Sequence, residues 1–334
     1  MSRAGWAALA GLTLTGAGAT LLAGANPLDA AATLLRGALG GPQQLAETLV
    51  QTASLLFPAL AVAFALRGGL FNIGADGQAV AGGLAAGLIG AAWPGAGGFA
   101  LVAALTAGTL AGGVWGALAG LLRARFGGSE VIATLMLNVL AGLLATYLLS
   151  GPLRAPGATG PETAALPESV WLPLLMPGTR LSVALPLALA LAAVLQVVLR
   201  RTIYGFELRA AGLAPETARR AGIDLGAIAF SALALSGAMA GLGGATIVTG
   251  VLHRFDPALS PGYGFIGIAV ALVGGLEPAR IALSAFGFAI LQSGSLTLQA
   301  FAHVPKDVIS LLEGLAIVAL AGRRALVARA TLLP

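Results

Sequence analysis

Long apolar runs recur from one end of this chain to the other, and each is about 20 residues long. At about 1.5 Å per residue, a helix of that length crosses the roughly 30 Å hydrocarbon core of a bilayer. Only 9% of the 334 residues are charged, whereas about 25% are charged in a typical soluble domain. The sequence therefore predicts an all-α, polytopic membrane protein whose solvent is the lipid bilayer.

The apolar runs divide the chain into about ten transmembrane helices, which we predict to form a single transmembrane domain over residues 1–334. The first run is longer than the roughly 7–15 residues of a signal-peptide core, so we expect a retained helix there. The predicted spans lie near residues 4–23, 45–66, 74–92, 98–122, 129–150, 180–199, 226–250, 262–276, 279–299 and 307–321.

The distribution of basic residues predicts the orientation. With the N-terminus in the cytoplasm, thirteen of the eighteen Lys and Arg residues fall on the inner side. Cytoplasmic loops carry such an excess, so both termini are predicted to be cytoplasmic. Two connections are long. The outer loop, about 151–179, holds six prolines that favour a stiff, extended or turn-rich surface segment, and the inner loop covers about 200–225.

Pairs of glycines four residues apart mark helix faces that other helices can approach closely. In lipid, van der Waals contact between such faces holds helices together. We interpret these glycines as helix contacts in a compact bundle, without information on a transported solute. The pairs are Gly83 with Gly87, Gly112 with Gly116, Gly116 with Gly120, and Gly237 with Gly241.

Missing residue types exclude several functions. The chain has no Cys, and its two histidines, His253 and His303, are far apart and lack metal-binding spacing. Its single lysine, Lys306, is not part of a phosphate-binding loop. The arginines are scattered in short loops and form no basic stripe for nucleic acid. We therefore predict no catalytic residue, no metal site, no bound cofactor and no nucleic-acid partner, and hence not an enzyme.

A polar segment at 70–78 interrupts two apolar spans. It contains Asn72, Asp76 and Gln78 among several glycines. Irregular backbone and polar side chains persist at membrane depth only where protein or a water-filled cavity satisfies them. One interpretation is an ordinary turn at the membrane surface, and the other is a broken helix that lines a transport pathway. Asp76 and Gln78 at the head of a span favour the pathway.

The helix predicted at 129–150 carries a second polar set. Ser129 is a candidate N-cap, and Glu130 suits the positive end of the helix dipole. Asn138 lies about 12 Å deeper along the helix, so it needs a partner on another helix or on a polar solute, of which the first is favoured. Gln292 is a further polar residue inside a span. We predict that Asn72, Asp76, Gln78, Asn138 and Gln292 line or shape the pathway.

A short helix is predicted inside the inner loop, over about 213–223. Pro215 suits its first position, Glu216 its first turn and an arginine pair, Arg219 and Arg220, its last turn, and Gly222 ends it. An isolated helix this short is marginal in water, so something must hold it. It lies either on the membrane surface or in the groove of a cytoplasmic partner.

These segments resemble a known family. The blocks at 71–78, 130–138, 209–223 and 264–272 resemble, in this order, the permease subunits of bacterial ABC importers. The most similar group is the branched-chain amino acid and ribose type, and within it the nucleoside or simple-sugar permeases. The matching blocks extend over roughly 45–320. The resemblance implies a multi-pass protein of the bacterial inner membrane.

The resemblance also implies partners. These are two cytoplasmic ATPase subunits that bind ATP, a second homologous permease subunit and an extracytoplasmic solute-binding protein. The inner-loop helix then corresponds to a coupling helix that sits in an ATPase groove. The positions that match this coupling element are Glu207, Arg209, Gly212, Arg219, Arg220 and Gly222.

Some positions depart from the family pattern. Ser129 stands where Asn is common, Asp76 where Glu is common, and Glu313 where Gln is common. The solute is predicted to be a nucleoside, with a simple sugar or a branched-chain amino acid as alternatives. A different class, the ion-coupled secondary transporter, would use Asp76 or Glu130 to bind a proton or Na⁺.

Overall fold

The structure of the chain is a computed structural model, which describes residues 26–93, 95, 97–158 and 160–302. Within these ranges the chain is helical apart from its connections, and the only β-type pairing is an isolated bridge between Leu174 and Ser182. This confirms the all-α prediction. The spans predicted at 4–23 and 307–321, together with His303, Lys306 and Glu313, lie outside the described residues.

Eleven α-helices follow one another along the described chain, with a 3₁₀ turn before α6 and a π-helical turn after α9. They are α1 (Pro27–Leu39), α2 (Pro42–Arg67), α3 (Ala75–Ala92), α4 (Gly98–Phe126), α5 (Glu130–Ser150), the 3₁₀ turn (Glu168–Val170), α6 (Ala184–Arg201), α7 (Ile203–Leu213), α8 (Pro215–Arg220), α9 (Leu225–Ile247), the π turn (Val248–Leu252), α10 (Tyr263–Val273) and α11 (Pro278–Ala302).

Each of the eight predicted spans within the described ranges coincides with a helix. Among the described residues, six helices are long and apolar enough to cross a membrane: α2, α4, α5, α6, α9 with its π turn, and α11. The other two, α3 and α10, fall short because α3 begins with polar residues and α10 has only 11 residues. Helix α1 was not predicted, although Asn26 caps it and Pro27 stands in its first turn.

The chain forms two compact units. Among the described residues, the first contains 26–52 and 286–302, and the second contains those from 53 to 285. In the described part of the first unit, α1 lies against the end of α11, where a Cβ on Gly294 would come within 2.4 Å of the Leu34 carbonyl oxygen. The Thr48 hydroxyl also donates to the Ala38 carbonyl at 2.8 Å, which ties α2 to α1.

Helices α3, α4 and α9 form the centre of the second unit. A Cβ on Gly112 would lie 2.4 Å from the Gly237 carbonyl oxygen, and one on Gly116 would lie 2.3 Å from that of Leu233. Backbone therefore touches backbone along the α4–α9 contact, as the glycine spacing predicted. Gly83 and Gly87 differ from the prediction, because Phe255, which lies in a connecting segment rather than a helix, packs against both.

The proline-rich outer loop is mostly exposed, but its middle part packs against the rest of the second unit. Its backbone N–H groups at Thr163, Leu166 and Leu172 donate to the carbonyls of Phe255, His253 and Thr249, at 3.1, 2.8 and 2.9 Å. The Leu166 and Leu172 side chains are buried. The predicted turn-rich surface segment is present, and in addition four of its residues are buried, because the π turn and the segment after it supply hydrogen-bond acceptors to the middle of the loop.

Candidate functional site

Between α2 and α3 the backbone is irregular and packed inside the second unit. The chain leaves α2 at Arg67, passes through Gly69 in the left-handed region at φ +73°, and enters α3 at Ala75. Gly69 lies against Gly212 of α7, where an added Cβ would approach the Gly212 Cα to 3.0 Å. The structure therefore has a buried break between two helices rather than a turn at the surface.

Asn72 is the centre of a buried hydrogen-bond network. Its side chain is fully buried, and Nδ2 donates to Gln78 Oε1 at 2.9 Å and to Ser236 Oγ at 2.7 Å. Its Oδ1 accepts from Gly74 N at 2.8 Å and from Gln78 Nε2 at 3.2 Å. Ser236 in turn donates to the Ala61 carbonyl at 2.6 Å. These bonds join α2, α3 and α9 through one amide.

Asn138 fastens α5 to the same break. Its Oδ1 accepts from Gly77 N at 2.7 Å, and its Nδ2 donates to the Ile73 carbonyl at 2.8 Å. Thr134, one turn earlier, accepts from Ile73 N at 3.2 Å. The structure thus shows the helix contact that the sequence favoured for Asn138, while its contact with a solute stays a prediction.

Asp76 connects α3 to the start of α10. Its Oδ1 accepts from Gly264 N at 2.8 Å and also from the Ser260 hydroxyl. Ser260 Oγ accepts from Tyr263 N at 3.0 Å. A carboxylate at this end of a helix is favourable because the N–H groups there lack partners within the helix and carry partial positive charge. The first and fourth family-like blocks, 71–78 and 264–272, therefore meet at this carboxylate.

The four polar residues from 72 to 138 lie close together, whereas Gln292 belongs to the first unit. Gln292 is half-buried on α11, and its carbonyl accepts from the Ser295 hydroxyl at 2.6 Å. The sequence did not single out Ser236, Ser260 or Thr134. No local pattern distinguishes these hydroxyl residues, because their partners lie far away along the chain.

The inner loop contains two helices rather than one. The predicted short helix is present as α8, with Pro215 in its first turn and an ion pair between Arg219 and Glu216 at 3.3 Å. Gly222 follows it in the left-handed region at φ +89°. The preceding α7 was not predicted, although Thr202 caps it by accepting from Gly205 N at 3.0 Å.

The predicted coupling residues separate into inward and outward groups. Arg209 is half-buried and donates from Nη1 to the Leu199 carbonyl of α6. Gly212 is pressed against α2, since an added Cβ would lie 2.4 Å from the Arg67 carbonyl oxygen. These two residues anchor α7 within the second unit, and Glu207 on the same helix is half-buried.

The outward group, Arg219 and Arg220, forms an exposed surface on α8 together with Leu213, the last residue of α7. Leu213 is 86% exposed, and the Arg219 side chain is 64% exposed beside Arg220. Exposed apolar residues and arginines are both typical of surfaces that contact another protein. The anchored α7 would hold this surface in a fixed position.

The family described as "Branched-chain amino acid transport system / permease component" matches residues 44–321. The guanosine ABC transporter permease protein NupP of Bacillus subtilis is 35% identical over 286 residues, which cover 84% of this chain and 82% of that protein.

Two further relatives have comparable similarity. The glucose ABC transporter permease protein TsgB13 of Haloferax volcanii is 33% identical, over 82% of this chain and 74% of that protein. The nucleoside ABC transporter permease protein NupB of Lactococcus lactis is 31% identical, over 77% of this chain and 74% of that protein. The family-like blocks in the sequence, including those at the buried break, all lie within the matched residues.

Proposed function

Because this chain belongs to the family of permease components of branched-chain amino acid transport systems, we propose that it is the permease subunit of an ATP-driven ABC importer for nucleosides. The observation that carries the proposal is similarity to guanosine and nucleoside permeases over most of the chain. It is a multi-pass inner-membrane protein, and it is a transport component rather than an enzyme.

We infer a topology of ten spans with both termini in the cytoplasm. Six apolar helices support this topology, and the helices α3 and α10 coincide with two more predicted spans. The excess of basic residues in the inner loops supports the orientation. Helices α7 and α8 would then face the cytoplasm.

ATP hydrolysis takes place on partner chains in this proposal. Two ATPase subunits would each receive a coupling helix, which in this chain is α8 with its exposed Arg219, next to the exposed Leu213 at the end of α7. Arg209 and Gly212 would transmit force from α8 by holding α7 against α6 and α2. A second permease subunit and an extracytoplasmic solute-binding protein would complete the importer.

The pathway residues are proposed to act at the broken entry to α3. In the described conformation the amides of Asn72, Gln78 and Asn138 bond to protein groups. A nucleoside offers hydroxyl and base groups of the same hydrogen-bonding type, so it can replace such partners when helices separate during alternating access. Gln292 belongs to the first unit, and its role in the pathway stays a separate prediction.

Uptake by cells that express the importer tests the proposal. Labelled guanosine should enter when the phosphate-loop lysine of the partner ATPase is intact, and should stop entering when that lysine is replaced. A protonophore should leave uptake in place while ATP is maintained. If uptake instead collapses with the proton or Na⁺ gradient and ignores the ATPase variant, the chain is a secondary transporter and the proposal is wrong.

A sugar importer is the second candidate, because TsgB13 is 33% identical over most of the chain. Competition separates the two. Excess unlabelled nucleoside should suppress guanosine uptake, while excess glucose should not. The opposite pattern would assign the chain to sugar transport.

A further inference from the structure

A polar cleft opens where α2, α6, α7 and the start of α11 meet in the second unit. Its volume is about 150 Å³. Arg67, Arg200, Arg209, Gln196 and Glu277 supply its polar lining. None of the predicted pathway residues lines this cleft. It is therefore separate from the network around Asn72.

Charge in the cleft is unbalanced. Three guanidinium groups line the cleft together with one carboxylate, that of Glu277. Glu277 lies 3.3 Å from Arg200, which lines the cleft, and 3.4 Å from Arg280, which does not. Arg67 donates to the Leu276 carbonyl at 3.1 and 2.9 Å, and this acceptor is neutral. A partly desolvated cluster of like charges is unfavourable unless counter-charge enters it.

Arg209 retains most of its hydrogen-bonding capacity. A guanidinium has five N–H donors, and Arg209 uses one of them, at Nη1, on the Leu199 carbonyl. The other four have no partner in the part of the chain that the structure describes. Because Arg209 is half-buried, bulk water reaches it only in part. An acceptor with several oxygens would use these donors.

The position of the cleft relates it to lipid headgroups. Arg67 ends α2 and Arg200 lies at the end of α6, and both helices are long and apolar enough to cross a membrane. Their last residues therefore lie near the boundary between hydrocarbon and water, where lipid phosphates lie. Basic pockets between membrane helices at this depth suit anionic headgroups.

We propose that this cleft binds a phosphate group, carried either by the headgroup of an anionic phospholipid or by a free phosphate ion. The planar, forked guanidinium donors match phosphate oxygens in geometry and charge. The site is independent of the transported solute, because it uses residues away from the proposed pathway. Bound phosphate would join α2, α6 and α7 through one anion.

Binding of two probes to the purified full chain tests the proposal. Native mass spectrometry would measure retention of dioleoyl-phosphatidylglycerol against the neutral dioleoyl-phosphatidylcholine. Melting temperature would measure binding of inorganic phosphate against chloride at equal ionic strength. Preference for phosphatidylglycerol with no phosphate effect identifies the headgroup as the source, whereas the reverse result identifies the free ion. The absence of both effects overturns the proposal.

Variants of opposite charge keep the test independent of folding. Arg200→Gln should weaken binding about fivefold, a change that corresponds to about 1 kcal/mol per surface arginine. Glu277→Gln should strengthen binding, since it removes the only carboxylate that lines the cleft in the described residues. Arg201→Gln is the matched control, because Arg201 is exposed and does not line the cleft. Weakening by Glu277→Gln, or equal weakening by both arginine variants, would contradict the site.

Discussion

Replacement of Asn72 by alanine is the sharpest test of the buried break. The side chain is fully buried and makes four hydrogen bonds, two through each end of its amide. Its loss leaves Gly74 N and both ends of the Gln78 amide without these partners, although Ser236 keeps its bond to Ala61. A buried polar group that loses its partner costs about 1–3 kcal/mol.

The expected destabilisation follows from these numbers. Three orphaned groups that partly rearrange should lower the free energy of unfolding by roughly 3–5 kcal/mol in total. At about 2–3 °C per kcal/mol for a chain of this size, the melting temperature should fall by roughly 6–15 °C. Thermal unfolding of the detergent-purified chain, followed by size-exclusion chromatography of the soluble fraction, measures the shift.

Thr146→Ala on α5 is the matched control. Its hydroxyl bonds only to the Gly142 carbonyl one turn earlier and is exposed, so its loss should change the melting temperature by less than about 2 °C. If Asn72→Ala melts as the control does and guanosine uptake is unchanged, the network neither stabilises the break nor serves the pathway, and the reasoning is refuted.

Three further substitutions follow from contacts elsewhere in the chain. Gly112→Val should abolish the monodisperse size-exclusion peak of the purified protein, because the new Cβ would lie 2.4 Å from Gly237 O. Gly142→Ala should keep that peak, because a Cβ at Gly142 would have no atom within 4 Å. Arg219→Glu should leave the melting temperature unchanged, since the side chain is exposed, but it should reduce guanosine uptake and co-purification of the ATPase. Normal uptake by this variant would contradict the coupling role. Burial lowers the pKa of His253 from its usual 6.5, so near about pH 6 the unfolded chain binds more protons than the folded chain. The contribution of the neutral, buried imidazole to stability is therefore present above about pH 6.5 and is lost at lower pH. Between about pH 7 and pH 5, the melting temperature should therefore fall more steeply in the wild type than in His253→Phe. Equal slopes in the two proteins would refute the burial of His253 as the cause.

Helix positions were largely predictable because hydrophobicity alone determines which segments can enter a bilayer. The eight spans within the described ranges illustrate this. The two helices that were missed, α1 and α7, are short, yet Asn26 and Thr202 cap them and could have indicated their starts. A short helix gives a weak periodicity signal, so capping residues carry more information there than apolar spacing does.

Partners at the site were not predictable from the sequence. Asp76 and Gly264 are 188 residues apart, and Asn72 and Ser236 are 164 apart. Serine and glycine are also abundant where they have no such role, so their identity at one position predicts nothing about distant contacts. The packing of the middle of the outer loop was missed for the same reason, because the acceptors of Leu166 N and Leu172 N are the distant carbonyls of His253 and Thr249.

The polar residues of the site share a physical task that precedes any role in transport. Helices α3 and α10 begin inside the second unit, where the first N–H groups of a helix have no intrahelical acceptor. Asn72, Asn138 and Asp76 each accept from one N–H group at or beside these helix starts. An unpaired N–H group in an apolar environment is costly, so these side chains permit a helix to start there.

The same side chains are therefore suited to a moving pathway. In the proposed transport cycle, α3 and α10 would separate by breaking the hydrogen bonds of Asp76 to Gly264 N and Ser260, while the hydrogen bonds within each helix stay intact. Substitution by alanine removes both the acceptor and any solute contact, so loss of uptake alone does not separate the two roles. Asp76→Asn retains an oxygen that can accept from Gly264 N and removes the charge, and uptake normalised to folded protein then reports on the charge itself.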